Sequence, residues 1–236
     1  SKYQSRSGVH FGCRFINYKN NILFSIGDRG DRNNSQNSKN YPGSIIKIDY
    51  EGNHKVTKEG WLSGIFSMGH RNPQGLIYIK EFDEIWSHEH GPKGGDEINL
   101  INLKETQIQN FGWPMASYGS HYDSVPLSRA IKKIAPLNKS HKEYGFIEPK
   151  HYFKDSIGIS EIIKNFYAET NNYFVTSLKN KTIYEIEFDG DHNNPKIIDE
   201  ILIGERIRDI VFDTSNKKYY IYLENTPKLA ILEKVN

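Results

Sequence analysis

At 236 residues the chain can bury a substantial core, as one large domain or two small ones. Its 31 Lys and Arg stand against 29 Asp and Glu, a net charge of +2 with the basic residues scattered, which excludes a nucleic-acid binder. No stretch approaches the ~18–20 apolar residues of a membrane helix, and the one cysteine, Cys13, excludes an internal disulfide while leaving the redox compartment open.

The chain opens on Ser1-Lys2-Tyr3 with no signal peptide in view; a processed or cut start is expected, so export stays open. From there the pattern is one of short strands rich in Ile, Tyr, Phe and Val, bounded by Asn, Gly or Asp. A first group covers Cys13–Tyr18, Ile22–Asp28 and Ser44–Tyr50, with a loop at Arg29–Pro42. A second covers Gly75–Ile79, Glu84–His90 and Glu97–Leu103. A loop excursion follows at Tyr118–Tyr152, holding three prolines and one short helix at Ser128–Ala135. A third group covers Ser160–Phe166, Tyr173–Leu178, Thr182–Phe188 and Ile197–Ile203. The last covers Ile207–Asp213, Lys218–Glu224 and Lys228–Lys234. Strand groups recurring every ~40–55 residues predict an all-β chain, a β-propeller of about four blades in one domain over residues 1–236. A β-sandwich is the alternative.

Four segments crowd polar and charged residues beside glycine or proline at the ends of strand groups, where a propeller binds its ligands. These are His10–Arg14, Gly69–Gly75, Glu89–Glu97 and Arg206–Asp209. Each has an ordinary reading too: a surface histidine at His10, a turn-closing cluster at His70-Arg71-Asn72, a tight connection at Gly91–Gly95. Carbonyl oxygens exposed in that last turn suit a hard cation such as Ca²⁺. Asp96 and Glu97 are the nearby carboxylates, offering either a second Ca²⁺ site or a solvated acidic pair at a strand start.

The ordered strings GHRNPQGL (Gly69–Leu76), EHGPKGGDEINLI (Glu89–Ile101) and NFGWP (Asn110–Pro114), downstream of HFGCR and SIGDRGD, resemble the soluble PQQ-dependent glucose/sorbosone and aldose sugar dehydrogenases. SLKNKTIYEI (Ser177–Ile186) and RIRDI (Arg206–Ile210) extend the likeness over nearly the whole chain. The resemblance implies a six-bladed propeller, a quinoprotein oxidoreductase with PQQ and Ca²⁺ as cofactors, a sugar substrate, an external electron acceptor, and a periplasmic or secreted location. It implies His10 as the general base, a role that suits imidazole near neutral pH, with Asp28 orienting it. Arg71 and Asn72 match the pair that reaches the quinone oxygens, and Arg71 would stabilise developing negative charge. The carbonyls of Gly91 and Pro92 match the calcium ligands. Lys179, Arg206 and Arg208 match the basic residues that hold the PQQ carboxylates, and Ser156 stands where a small hydroxyl residue borders the cofactor.

Two departures qualify these expectations. Lys150–Glu161 lacks the family's Trp-Pro and Ala-Pro-Ser character, and Lys154 stands where an aromatic would flank the quinone. The family also places roughly a third more sequence before His10, so about four blades of six are expected here. Their open edges would need a missing N-terminal segment or self-association to cover them. Two other functions compete: a non-catalytic propeller that binds protein or carbohydrate, and a calcium hydrolase or lactonase. The latter wants a carboxylate–asparagine cluster that the sequence lacks outside Asp96-Glu97.

Overall fold

The computed structural model describes residues 4–56, 58–123, 128–189 and 195–234. They fall into two compact units, Ser1–Ser156 and Ile157–Asn236.

The first unit contains β1 (Gly12–Tyr18), β2 (Asn21–Ile26), β3 (Ser44–Asp49), β4 (Ile65–Met68), β5 (Pro73–Ile79), β6 (Glu84–Glu89), β7 (Asp96–Ile101), β8 (Gln109–Asn110), α1 (Arg129–Ile134) and β9 (His151–Phe153). One sheet runs in the order β1-β2-β3-β4-β8 and the other β5-β6-β7-β9. Pairing is antiparallel except between β4 and β8. Alternation drives the choice of face: along β1, Cys13, Phe15 and Asn17 are exposed while Arg14, Ile16 and Tyr18 turn inward. Leu23, Ile45, Leu76, Ile85, Ile101 and Phe111 form one buried cluster of the unit, each contributing about 1.5–3 kcal/mol through burial. On a second cluster, Ile46, Ile65 and Met68 pack with Trp61 and Leu62 from the β3–β4 connection.

The second unit contains β10 (Ile159–Lys164), β11 (Asn172–Ser177), β12 (Thr182–Glu187), β13 (Lys196–Leu202), β14 (Ile207–Asp213), β15 (Lys218–Leu223) and β16 (Lys228–Leu232). They make a four-stranded sheet, β10-β11-β12-β13, and a three-stranded one, β14-β15-β16, both antiparallel. Phe174, Ile183, Ile207, Ile210, Tyr219 and Ile221 form the core of this unit. Tyr219 is also tied at its hydroxyl, which donates to the Lys164 carbonyl at 2.7 Å and accepts from the Phe166 amide at 2.6 Å.

All thirteen strands read from the sequence are present within a few residues of their expected ends, and the helix expected at Ser128–Ala135 runs Arg129–Ile134 with Ser128 as its N-cap. Three strands escape the pattern. β4, β8 and β9 are two to four residues long, too short for an alternation to register. β9 straddles the end of the Tyr118–Tyr152 excursion and brings it back onto β7, pairing Asp96 with Phe153 and Ile98 with His151.

Candidate active site

The site is built where the chain enters and leaves the first sheet. His10 and Phe11 run alongside Gly27–Arg29, joined by Gly27 N to Phe11 O at 3.2 Å and Arg29 N to His10 O at 3.3 Å. Only glycine permits this approach, because a Cβ on Gly27 would stand 2.3 Å from the His10 carbonyl oxygen. The pairing sets His10 Nδ1 against Asp28 Oδ1 at 2.6 Å, with the carboxylate 1% exposed and the imidazole 20%.

Asp28 is fully engaged. Its Oδ1 also accepts from the Gly30 amide at 2.7 Å, and its Oδ2 accepts from Trp113 Nε1 at 2.8 Å. With a fixed donor already at each oxygen, an ionised Asp28 pairs with the His10 tautomer that carries its proton on Nδ1 and keeps a lone pair on Nε2. That is the tautomer a base needs.

A second strap ties GHRNPQGL to EHGPKGGDEINLI. Glu89 Oε2 accepts from the Arg71 amide at 2.5 Å, and Oε1 accepts from His70 Nδ1 at 2.9 Å and Asn99 Nδ2 at 3.3 Å. The other His70 nitrogen meets Ser67 Oγ at 2.8 Å, and the ring stacks on Phe111. The ordinary reading of His70 as part of a structural cluster therefore holds. Arg71, 7% exposed, sends Nη1 to the His90 carbonyl at 3.2 Å and lies 5.3 Å from the centroid of Trp113. Its Nε is buried with no partner among the described residues. Asn72 Oδ1 accepts from the Gly12 amide at 3.2 Å.

The Gly91-Pro92 turn is held from inside. Asp96 Oδ1 accepts from the Gly91 amide and from Ser156 Oγ, each at 3.0 Å. Ser156 thus reaches the site through Asp96. The Pro92 carbonyl accepts from the Tyr122 hydroxyl at 3.0 Å, and that hydroxyl lies 3.5 Å from Arg71 Nη2. Asp96 and Glu97 are 0% and 6% exposed, so the solvated acidic pair is overturned: both side chains are inside the unit. As neighbours on β7 they project to opposite faces. Burial, then the charge of Glu89, hold the Glu97 carboxyl well above the usual carboxylate range, and its Oε1 stands 3.6 Å from His141 Nε2. The two carboxylates do not converge on one point, and no group of three or more His, Cys, Asp or Glu among the described residues is placed to hold a metal.

His10, Asp28, Arg71, Pro92, Trp113 and Tyr122 line a cleft of about 250 Å³. Trp113 and Tyr122 were not singled out as site residues. Trp113 had a signal, since it sits in the NFGWP string, whereas Tyr122 stands in a loop whose placement no local pattern encodes.

In the second unit, Lys179 is exposed in the turn between β11 and β12. Arg206 Nε and Arg208 Nη2 reach the two oxygens of Glu224 at 3.0 and 2.9 Å. Burial pushes the Glu224 carboxyl up, but hydrogen bonds from Arg208 and Arg206 outweigh it, and its pKa lies below the ordinary value. Glu224 thus holds the two guanidiniums together.

An all-β chain with a carboxylate-oriented histidine, a buried arginine and a glycine-proline carbonyl turn around one cleft has the parts of a redox or acid–base enzyme site. Residues 1–230 match the family model described as "Glucose / Sorbosone dehydrogenase", and the chain belongs to that family. It is 27% identical to the aldose sugar dehydrogenase YliI of Escherichia coli over 94% of this chain and 60% of that protein. It is 29% identical to quinoprotein glucose dehydrogenase B of Acinetobacter calcoaceticus over 69% of this chain and 31% of that one. A crystal structure of a glucose dehydrogenase superposes with a TM-score of 0.81 at 26% identity, covering 97% of this chain and 65% of that chain. The chain therefore spans about two thirds or less of the length of these relatives.

Proposed function

We propose that the chain carries the catalytic part of a quinoprotein dehydrogenase that oxidises an aldose-type sugar or related hydroxy compound and passes the electrons to an external acceptor. The observation that carries this reading is the His10–Asp28 pair, 2.6 Å apart, in one cleft with Arg71. The four sheets are proposed to be blades of a propeller, six in the full protein, forming a single domain. One face of β14–β16 leaves Val211, Leu229 and Ile231 more than half exposed; a further blade from outside this chain, or a second copy, would cover it. Among the described residues no helix is long and apolar enough to cross a membrane, and a periplasmic or secreted location is proposed on the family likeness.

The residues fit PQQ and Ca²⁺ in their donor chemistry. Arg71 Nε is an orphaned buried donor, which an anionic quinone would satisfy together with Asn72. The Gly91-Pro92 turn leaves no room for a side chain on Gly91 and offers carbonyl oxygens to a hard cation. Lys179, Arg206, Arg208 and Ser156 would hold the polar periphery of PQQ. When bound, PQQ supplies the two-electron acceptor and Ca²⁺ the Lewis acid that polarises it.

The rest of the chemistry falls to this chain. His10 Nε2 takes the proton of the sugar hydroxyl on the carbon being oxidised. Asp28 fixes the ring and stabilises the imidazolium that forms, while Gly30 and Trp113 keep Asp28 from moving. Arg71 holds a positive charge where negative charge develops, in a site that Trp113 and Tyr122 partly shield from water.

The test is turnover: the protein reconstituted with PQQ and Ca²⁺ should reduce a redox dye with aldoses and not without them. Absence of turnover with every aldose, despite bound cofactor, would leave a binding module in its place. A finer prediction concerns the second unit. Arg206→Ala combined with Arg208→Ala should weaken PQQ binding roughly tenfold or more, most strongly at low salt. Unchanged affinity would remove the two arginines from the cofactor site.

A further inference from the structure

Three consecutive backbone carbonyls meet at one ammonium. Lys139 Nζ donates to the carbonyl oxygens of Ser117 at 3.2 Å and Tyr118 at 3.3 Å, and also to that of Gly119. Ser117 and Gly119 are buried, and a buried carbonyl needs a donor. Among the described residues none of the three oxygens has a donor other than Lys139, and no carboxylate pairs with that lysine. Lys139 as a whole is exposed, while partial burial of its ammonium lowers its pKa; the carbonyls are what offsets that cost. Dipoles aimed at one point repel one another. A positive charge at the focus turns the repulsion into attraction, the device by which carbonyl oxygens hold a hard cation.

The segment held in this way reaches the His10 cleft. Its Gly119 lies so close to the cation turn that a Cβ there would stand 2.3 Å from the Gly94 carbonyl oxygen and 2.7 Å from Pro92 Cδ. Ser120 and Lys93 exchange backbone hydrogen bonds, Lys93 N to Ser120 O at 3.0 Å and Ser120 N to Lys93 O at 2.9 Å. Two residues on, the Tyr122 hydroxyl donates to the Pro92 carbonyl at 3.0 Å and its side chain lines the cleft. Asn138, beside the lysine, adds two further ties: the Ser117 amide to the Asn138 carbonyl at 2.9 Å and the Asn138 amide to the Met115 carbonyl at 3.0 Å.

We propose that Ser117–Gly119 is a cation nest filled by the chain's own Lys139, and that this tethered ammonium is a positioning residue that fixes Tyr122 in the wall of the His10 cleft. The nest holds this strap whichever reaction the cleft performs.

Amide hydrogen exchange followed by NMR tests the assignment. In Lys139→Ala the Ser120 and Lys93 amides, which close the backbone bridge, should exchange roughly tenfold faster or more, because hydrogen bonds from a charged donor are lost. The amides of β2 and β3 should keep the parent's rates. Lys139→Met, which keeps the stem and drops the charge, should behave as Lys139→Ala does. Lys133→Ala, an exposed charge lost from α1, should stay within about twofold of the parent. Methylammonium chloride added to Lys139→Ala should refill the nest and restore both slow exchange and the parent's Tyr122 resonances. Tetramethylammonium chloride at the same concentration has no N–H to donate and should restore neither. If Lys139→Ala fails to fold, the Lys139→Met comparison decides. Unchanged exchange in Lys139→Met, an equal effect in Lys133→Ala, or a Lys139→Ala variant that methylammonium leaves open would overturn the proposal.

Discussion

His10→Ala is expected to abolish sugar oxidation while leaving PQQ affinity close to that of the unaltered protein. The ring supplies no charge that a tricarboxylate needs, and its Nδ1 is committed to Asp28. What is lost is the proton acceptor, worth about 100- to 10,000-fold in rate. Asp28→Asn should cost on the order of 1,000-fold in turnover, because an amide presents a donor where three donors now converge. The ring would then lose the partner that fixes its tautomer. The two changes act on one device, so the double variant should be little worse than His10→Ala alone. Rates of dye reduction for the three variants check this. Full activity in His10→Ala would remove it as the base, and additive losses would mean that Asp28 acts on something other than the ring.

Gly91→Ala is expected to have the largest effect on stability. A Cβ there would lie 2.2 Å from the Gly94 carbonyl oxygen and 2.3 Å from that of Gly95. Both are backbone atoms of the same turn, so no side-chain rotation relieves the clash. The turn must open, and it is held by Asp96 and by the Lys93–Ser120 backbone pair. A loss of about 2–4 kcal/mol is expected, read as a fall in the midpoint of denaturant unfolding, with calcium affinity falling alongside. A variant that unfolds like the parent yet loses calcium would show that the turn yields easily and that only its carbonyl geometry matters.

Much of this was legible in the sequence because it rests on local signals. Each alternating run of five or more residues became a strand, and Ser128 before Arg129–Ile134 announced its helix. The ends of strand groups singled out His10, Arg71 and Asn72 and the family resemblance added Asp28; the structure gathers all four within the first unit. What escaped depends on partners distant in sequence. Trp113 reaches Asp28 across 85 positions, and Tyr122 reaches Pro92 across 30. Arg206 and Arg208 read, by resemblance, as a clamp for the PQQ carboxylates; their ion pairs to Glu224, on the far side of a hairpin, were not legible. The buried state of Asp96 and Glu97 was equally hidden: β9, the strand that pairs with them, is only three residues long.

The measurement that reaches the centre of the proposal is a PQQ titration of the protein, with Ca²⁺ present and again with a chelator, followed by absorbance or fluorescence. Tight binding near one equivalent, lost in the chelator, is the expected result. No binding in either condition would contradict the quinoprotein reading of this chain.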